Sequence, residues 1–207
     1  MYRNFICYRG GSSAGILFAE DIYKRAKEEE QSVGRTYYSL YKENSNEIRN
    51  FLNDPGDYLS SVENFIMLLT KDFLDAFIVD GKPNPDSVTR IEIDEALKND
   101  KLKFIPVVFP DFSWEGLTGG MVNKDILTKL WGESAMRRIV GSPPIQFVFQ
   151  YKKQVVEQII GEIDATGDLK NRTDIFKGNI TFRLESSPSV LPKTIPTQTV
   201  STTAMPT

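Results

Sequence analysis

The stretch Phe65-Ile66-Met67-Leu68-Leu69 is a short continuous apolar run. A run of this length between polar segments is typical of a strand buried on both faces of a parallel sheet. Four more strands are predicted from similar patterns, at 4–8, 35–40, 102–109 and 145–149. Pro106 lies inside one of these runs and argues against a fully paired central position for that strand.

Helical patterns alternate with the predicted strands. Apolar residues recur at steps of three and four over 14–30 and again over 151–163. Two further helices are predicted over 124–131 and over 87–98, the latter with Val88, Ile91 and the Ala96-Leu97 pair on its apolar side. Strands alternating with helices favour a parallel sheet covered on both faces.

Loops beyond the carboxyl ends of parallel strands usually hold the functional site. Four loops are placed there by the predicted strands: 9–13, 40–58, 70–87 and 110–120. The segment 41–63 is interpreted as a loop, a short helix, a turn at Asp54-Pro55-Gly56-Asp57 and a second short helix.

The chain changes character after about residue 165. A domain is therefore predicted over 1–165, followed by an extension over 166–207 that includes a marginal hairpin pattern at 174–185. From 186 to 207, 14 of the 22 residues are Ser, Thr or Pro, a composition that cannot bury a core. This last stretch is predicted to be a linker or tail.

The chain contains no histidine and only one cysteine, Cys7. Histidine-activated serine or cysteine nucleophiles are therefore excluded, as are zinc sites that need imidazole or several thiolates. No metal site is predicted, and catalysis would have to rest on carboxylates, hydroxyls, Lys, Arg or the backbone. One cysteine cannot form an internal disulfide, so nothing marks an oxidising compartment.

The charge and hydropathy pattern excludes two classes of partner. The net charge is -3, without the basic face that nucleic-acid binding requires. No apolar run approaches the roughly 20 residues of a membrane helix, and the start of the chain lacks a signal-peptide layout. We therefore predict no nucleic-acid partner, no membrane partner and a cytoplasmic location.

Three motifs carry a resemblance to a known family. Residues 4–11 read Asn-Phe-Ile-Cys-Tyr-Arg-Gly-Gly and resemble the opening of TIR (Toll/interleukin-1 receptor) domains, where Phe-Ile-Ser-Tyr-Arg is usual. Residues 87–97, Ser-Val-Thr-Arg-Ile-Glu-Ile-Asp-Glu-Ala-Leu, are similar to the bacterial pattern Trp-Val-Arg-x-Glu-Ile-x-x-Ala-Leu. Residues 103–108, Lys-Phe-Ile-Pro-Val-Val, resemble the family's Ile-Ile-Pro-Val strand. Together with 65–70, the resemblance covers roughly residues 1–165.

The resemblance implies a flavodoxin-like three-layer α/β sandwich with a five-stranded parallel sheet. It also implies an NAD+ nucleosidase of the bacterial type, which cleaves the nicotinamide–ribose bond by hydrolysis or cyclisation and acts in prokaryotic antiviral or stress signalling. NAD+ is then the substrate and no cofactor is implied. Family members self-associate through their TIR domains, and a fused or partner sensor domain is expected.

The same resemblance assigns the site. Glu92 matches the family's catalytic glutamate. Arg9 and the backbone amides of Gly10, Gly11 and Ser12 are expected to hold the pyrophosphate, as a charge-assisted or nest-type anion site. Tyr8 is expected to stack on a ring, and Tyr41 and Thr70 complete the predicted substrate-binding residues. Two departures from the pattern are Cys7, where Ser is usual, and Val88, where the family has Trp.

The residues also allow plainer interpretations. Thr89-Arg90-Ile91-Glu92 fits a helix capping box, in which Glu92 bonds only a backbone N–H. Cys7 fits a core position, because free cysteines are usually buried. Trp114 and Trp131 fit packing rather than binding positions.

Two alternative functions stay open on the sequence. The first is a non-catalytic TIR adaptor, which the missing tryptophan at position 88 favours and Glu92 disfavours. The second is another flavodoxin-like enzyme that acts on nucleosides, such as a deoxyribosyltransferase, which would need an acidic pair. A phosphoacceptor receiver domain is disfavoured, because the first strand ends in Cys7-Tyr8-Arg9 without paired acids.

Overall fold

The fold was analysed in a computed structural model of the chain. The structure describes residues 1–38, 54–73, 78–79, 82–84, 87–112 and 122–167. The predicted hairpin at 174–185, the tail from 186, Trp114, Tyr41 and most of the 41–63 segment lie outside the described residues. The predicted boundary at 165 stays a prediction.

A five-stranded sheet forms the centre of the molecule. Its strands are β1 (Asn4–Tyr8), β2 (Thr36–Tyr37), β3 (Asn64–Leu69), β6 (Lys103–Val108) and β7 (Ile145–Gln146). They lie in the order β2-β1-β3-β6-β7, and every pairing in this sheet is parallel. This is the flavodoxin-like order, so the predicted fold class is confirmed. A separate antiparallel pair joins β4 (Ile78–Val79) and β5 (Lys82–Pro83).

Helices connect the strands. Their bounds are α1 (Ser13–Glu28), α2 (Glu30–Val33), α3 (Pro55–Leu59), α4 (Val88–Lys98), α5 (Val122–Val140) and α6 (Lys152–Ile163), with a 3₁₀ turn at Phe149–Tyr151. α5 is broken at Gly132, where φ is 81° and the left-handed backbone favours glycine. α1 is held to α6 by Arg25, whose Nε lies 2.6 Å from an oxygen of Glu157.

The central sheet buries both faces, because successive side chains along a strand point to opposite sides. In β1, Phe5 and Cys7 belong to one core cluster, and Ile6 and Tyr8 belong to the other. The first cluster, called here the α4 face, includes Ile93 and Ala96 of α4 and side chains of α3 and α5. The second, called the α1 face, is covered by α1 and α6.

Several predicted boundaries differ from the structure. β2 and β7 have only two residues each, where six and five were predicted. Asp54–Asp57 was predicted to be a turn, but Pro55 begins α3. Proline is tolerated at the first position of a helix, because its missing N–H has no partner there anyway. The prediction that Trp131 packs is confirmed, since it lies against the α4-face core.

Pro106 lies in an interior strand, contrary to the position expected from the sequence. β6 pairs with β3 along its whole length, and Pro106 is opposite Met67. On its other side β6 pairs with β7 only at Val107 and Val108. The incomplete pairing on that side fits a residue that cannot donate a backbone hydrogen bond.

The amino ends of the strands carry a buried polar network. Asn4 is fully buried, and its Nδ2 donates to Val33 O at 2.9 Å and to Thr36 Oγ1 at 3.2 Å. Asn64 Nδ2 donates to Asn4 Oδ1 at 2.9 Å. These bonds fix the register of β1, β2 and β3 at the sheet edge opposite to the predicted functional loops.

Both ends of the described chain meet near this same edge. Ala165 N donates to Ser32 O at 3.4 Å, and Arg3 Nη1 donates to the same carbonyl at 3.5 Å. Among the described helices, none combines the length and apolar character needed to cross a membrane.

Candidate functional site

Glu92 lies on the inner side of α4. The buried residues of this helix are Thr89, Glu92, Ile93 and Ala96, spaced for one helical stripe. The predicted apolar side is confirmed for Ala96 and Leu97, which pack in the α4-face core, and wrong for its first turn, because Val88 is 44% exposed and Ile91 is only partly buried. The Glu92 side chain lies on the side of the helix that faces the sheet, and the residue is only 6% exposed.

The capping-box interpretation of Glu92 is wrong. The N-cap of α4 is Ser87, whose Oγ accepts a hydrogen bond from Arg90 N at 3.2 Å. Thr89 lies inside the helix rather than at its cap. Glu92 is therefore five residues beyond the cap, too far along to bond a free N–H of the first turn.

The carboxyl end of α4 is also fixed. Arg138 of α5 donates from Nη1 to Leu97 O at 2.8 Å and from Nη2 to Asn99 O at 2.6 Å. A cation at this end also complements the helix dipole. Ser87 thus caps the first turn of the helix that carries Glu92, and Arg138 ties its last turn to α5.

Cys7 of β1 is the polar neighbour of Glu92. Its side chain has no exposure, and the thiol and the Glu92 carboxyl lie close enough for each to affect the ionisation of the other. The second carboxyl oxygen, Oε2, is buried and has no hydrogen-bond partner among the described residues. Most buried polar atoms in native proteins have a hydrogen-bond partner. A buried carboxyl oxygen without one lowers the stability of the fold, so its presence needs an explanation other than folding.

Burial changes the ionisation of both groups. Desolvation raises the pKa of Glu92 to about 8, against a smaller lowering by the Cys7 hydrogen bond. At pH 7 a carboxyl with this pKa is roughly one-tenth ionised. The pKa of the Cys7 thiol is also raised, mainly by burial and to a lesser extent by the nearby Glu92 carboxyl. The thiol therefore stays protonated and can donate a hydrogen bond.

The loop after β1 holds the residues predicted to bind the pyrophosphate. Arg9 is partly exposed, and its Nε lies 3.5 Å from Asp72 Oδ2. Ser12 caps α1 by accepting a hydrogen bond from Gly15 N at 3.2 Å. Gly10 and Gly11 are exposed, lie in a turn and have no positive φ, and their role in binding an anion stays a prediction.

Tyr8 and Thr70 each have identified neighbours other than Glu92. Tyr8 is buried on the α1 face, with its ring 5.6 Å from that of Tyr38. Thr70 is buried and donates from Oγ1 to Asp72 Oδ1 at 2.7 Å. Tyr41 lies outside the described residues. The structure thus brings together Glu92 with Cys7, and Arg9 with Thr70 through Asp72.

Two residues of this edge were missed as functional candidates. Asp72 joins Arg9 to Thr70, and its position two residues after a threonine at a strand end is a known pattern for a side-chain-bridged turn. Cys7 was assigned to the core, which is correct for its burial, but its contact with Glu92 was not foreseen. No local signal in the sequence identifies Glu92 as the neighbour of Cys7.

Within the described part of the chain, the site shows no converging acidic pair. Asp94 of α4 pairs with Arg90 at 3.3 Å and accepts from Trp131 Nε1 at 2.5 Å, away from Glu92. Glu95 pairs with the exposed Lys98. Across the same described ranges, no cluster of three cysteine, aspartate or glutamate side chains is placed to hold a metal ion.

Comparison with known proteins supports the fold. No protein-family model matches the chain, and no curated protein matches its sequence. Among solved structures, it is similar to the TIR domains of the activated Roq1 resistosome, which directly recognises the pathogen effector XopQ. The TM-score is 0.52 at 13% identity, over 79% of this chain and 99% of that chain. At this identity the likeness concerns the fold alone: the chain has a TIR-like, flavodoxin-like α/β fold.

Proposed function

We propose that the chain is an NAD+ nucleosidase that cleaves the nicotinamide–ribose bond with Glu92. The observation that supports this most is the buried Glu92 carboxyl, whose Oε2 has no hydrogen-bond partner among the described residues. A structural explanation for this carboxyl is lacking, because it neither caps α4 nor forms an ion pair in the described structure. Buried groups with perturbed ionisation are candidates for function.

The chemistry of NAD+ suits a single carboxylate. Nicotinamide is a cation in the substrate and leaves as a neutral molecule, so no general acid is needed. Ordinary glycosidases use a second carboxyl for that step. Glu92 Oε2 would accept a hydrogen bond from a ribose hydroxyl, and the ionised carboxylate would stabilise the positive charge that develops on the ribose. Water then completes hydrolysis, or an adenine nitrogen of the same molecule completes cyclisation.

Pyrophosphate binding would engage the loop after β1. Arg9 would exchange its ion pair with Asp72 for the phosphate oxygens, which offer a bidentate partner. The exposed backbone of Gly10 and Gly11 is open to an anion, since a Cβ added at Gly10 would meet no atom within 4 Å. Ring stacking by Tyr8, and contacts from Thr70 and Tyr41, complete the proposal.

Self-association is part of the proposed function. The similar Roq1 domains are described in an assembled resistosome. We propose that copies of this domain likewise associate, that the extension leads to a fused or partner sensor domain, and that turnover rises with protein concentration. The proposed setting is prokaryotic defence or stress signalling in the cytoplasm.

The test is nicotinamide release from NAD+ at high protein concentration with a crowding agent. The wild type should release nicotinamide, and Glu92→Gln should lose at least about a hundredfold in rate, as expected for removing a charge that acts in the transition state. Glu95→Gln is the matched control, because Glu95 lies one turn along the same helix and pairs with exposed Lys98. Equal turnover of wild type and Glu92→Gln would refute the assignment.

A TIR adaptor without catalysis is the second candidate. It is favoured by Val88, which is exposed one turn before Glu92, where the resemblance expects a tryptophan. An adaptor would self-associate in light scattering and release no nicotinamide at any concentration. That combination would replace the enzyme proposal.

A further inference from the structure

We propose that Asp72 is a specificity-determining residue: its carboxylate competes with phosphate groups for the Arg9 guanidinium, and it disfavours a phosphate more strongly the more charge that phosphate carries. The inference rests on the proposed function for the identity of the substrate. Its physical part, competition between a carboxylate and a phosphate for one guanidinium, can be measured without turnover. The contacts that support it are the ion pair of Arg9 with Asp72 and the hydrogen bond of Asp72 with Thr70.

The sheet register brings Arg9 and Asp72 together at the carboxyl edge. β1 and β3 pair in parallel, with Tyr8 opposite Leu68. Arg9 follows directly after Tyr8, and the turn that carries Asp72 begins two residues after Leu68. β1 and β3 are also the strands at which the order of the sheet reverses, where open α/β sheets bind their ligands.

Asp72 is held in place independently of Arg9. Thr70 Oγ1 donates to Asp72 Oδ1 at 2.7 Å, and Thr70 is only 3% exposed. The Thr70 methyl lies beside the first turn of α1, since a Cβ added at Gly15 would be 3.6 Å from Thr70 Cγ2. Phe73, at the other end of the turn, is buried and donates from its N to Thr70 O at 2.8 Å. The carboxylate therefore stays at the carboxyl edge when the Arg9 side chain moves.

Arg9 is held only loosely by Asp72. The distance of 3.5 Å between Nε and Oδ2 exceeds the value of about 2.8 Å for a charge-assisted hydrogen bond, and both side chains are 31% exposed. Within the described part of the chain, the Arg9 guanidinium has no other hydrogen bond or ion pair. Exposed ion pairs of this kind contribute little free energy. A phosphate can therefore displace the carboxylate from Arg9.

A phosphate bound at this loop would meet both charges. Arg9 Nε would be 3.8 Å from a Cβ added at Gly11, so the Arg9 side chain lies beside the backbone of its own loop. The phosphate offers Arg9 a bidentate partner, which the single contact with Asp72 does not. Repulsion by the nearby carboxylate grows with the charge of the ligand. The doubly esterified pyrophosphate of NAD+ or ADP-ribose carries less charge than inorganic pyrophosphate, so Asp72 should disfavour it less.

The first experiment measures the binding of ADP-ribose and of inorganic pyrophosphate by calorimetry in low-salt buffer, where exposed charges are least screened. Asp72→Asn removes the charge but keeps an oxygen that can accept from Thr70. We expect the Kd of this variant to fall about three- to fivefold for ADP-ribose and about tenfold for pyrophosphate. Glu133→Gln, which removes an exposed acid paired with Arg137 on α5, is the matched charge control and should bind as the wild type does.

Three results of this experiment would overturn the inference. ADP-ribose binding that is unchanged or weaker in Asp72→Asn would show that the carboxylate does not compete with the ligand. Equal gains for the two ligands would refute selection by charge. Failure of both the wild type and Asp72→Asn to bind either ligand would show that Arg9 forms no phosphate site.

The second experiment is a double-mutant cycle with Arg9→Gln. If Asp72 acts by occupying Arg9, adding Asp72→Asn to Arg9→Gln should change the Kd for ADP-ribose by at most about twofold. The same three- to fivefold gain with and without Arg9 would show a general charge effect and refute competition for the guanidinium.

Turnover separates the failure of this inference from that of the proposed function. Asp72→Asn should lower the KM for NAD+ about three- to fivefold and leave kcat unchanged, because the added binding is the same in the ground state and the transition state. A wild type that releases no nicotinamide refutes the proposed function, while ADP-ribose binding still decides the role of Asp72. A wild type that turns over, with KM and Kd unchanged in Asp72→Asn, preserves the proposed function and refutes this role.

Discussion

Glu92→Gln should make the protein more stable relative to the wild type as the pH rises. The Glu92 carboxyl has a pKa near 4.5 in the unfolded chain, and burial raises its pKa to about 8 in the native protein. Between these values the native state holds a proton that the unfolded state has lost. Raising the pH therefore lowers the free energy of unfolding, by about 1.4 kcal/mol per pH unit.

The size of the effect follows from the two pKa values of Glu92. Across the whole interval the native state loses about 5 kcal/mol of stability, and from pH 6 to pH 8 it loses about 2 kcal/mol. In a domain of this size that corresponds to a fall of roughly 4 to 8 °C in Tm. A glutamine side chain does not titrate in this range, so Glu92→Gln should lack this contribution.

The assay is urea unfolding of wild type, Glu92→Gln and Glu95→Gln at pH 6, 7 and 8. Other titrating groups contribute equally to all three proteins, so the difference between wild type and Glu92→Gln isolates one carboxyl. Glu95→Gln should follow the wild type. If the stability difference between wild type and Glu92→Gln changes by less than about 0.5 kcal/mol from pH 6 to pH 8, the reasoning from burial is refuted.

Two other substitutions test the site and the sheet. Val88→Trp should lower the KM for NAD+ about two- to tenfold, because residues four apart share a helix face and an aromatic ring there can pack on the substrate near Glu92. Leu17→Trp, at a position 61% exposed on α1, is the control, and an unchanged KM in Val88→Trp would contradict this packing. Asn4→Ala should cost about 2 to 4 kcal/mol in urea unfolding, because Asn64 and the Val33 carbonyl lose buried partners. A loss within about 0.5 kcal/mol would show that the Asn4 network does not stabilise the sheet.

The interior strands could be predicted from local sequence, and the edge strands could not. Residues 4–8 and 65–69 project mainly apolar side chains to both sides of the sheet, as strands buried on both faces must. Residues 145–149 have a similar composition, yet β7 stops at Gln146 because β6 offers pairing only at Val107 and Val108. The length of an edge strand depends on its neighbour rather than on its own residues.

The surroundings of Glu92 could be predicted only in part from the sequence, because they too depend on elements distant in the chain. The motif around Glu92 made this residue a candidate, but the apolar pattern of 87–98 placed Val88 and Ile91 on the buried side instead of Thr89 and Glu92. A polar residue turned toward a core contradicts local hydrophobic patterning, and such contradictions are expected at functional positions. The contact with Cys7 depends on how α4 lies across β1, which no short stretch of sequence encodes.

Arg3 and Ala165 meet at the carbonyl of Ser32, which gives the described part of the chain two distinct sides. Ala165 and Arg3 reach the same carbonyl at the amino edge of the sheet, while Arg9 and Ser87 lie at the carboxyl edge. Arg3 and Ala165 therefore lie on the side of the sheet opposite to the loop that holds Arg9. A reporter protein fused before Met1 would start near this amino edge, so its attachment can be tested without disturbing the Arg9 loop.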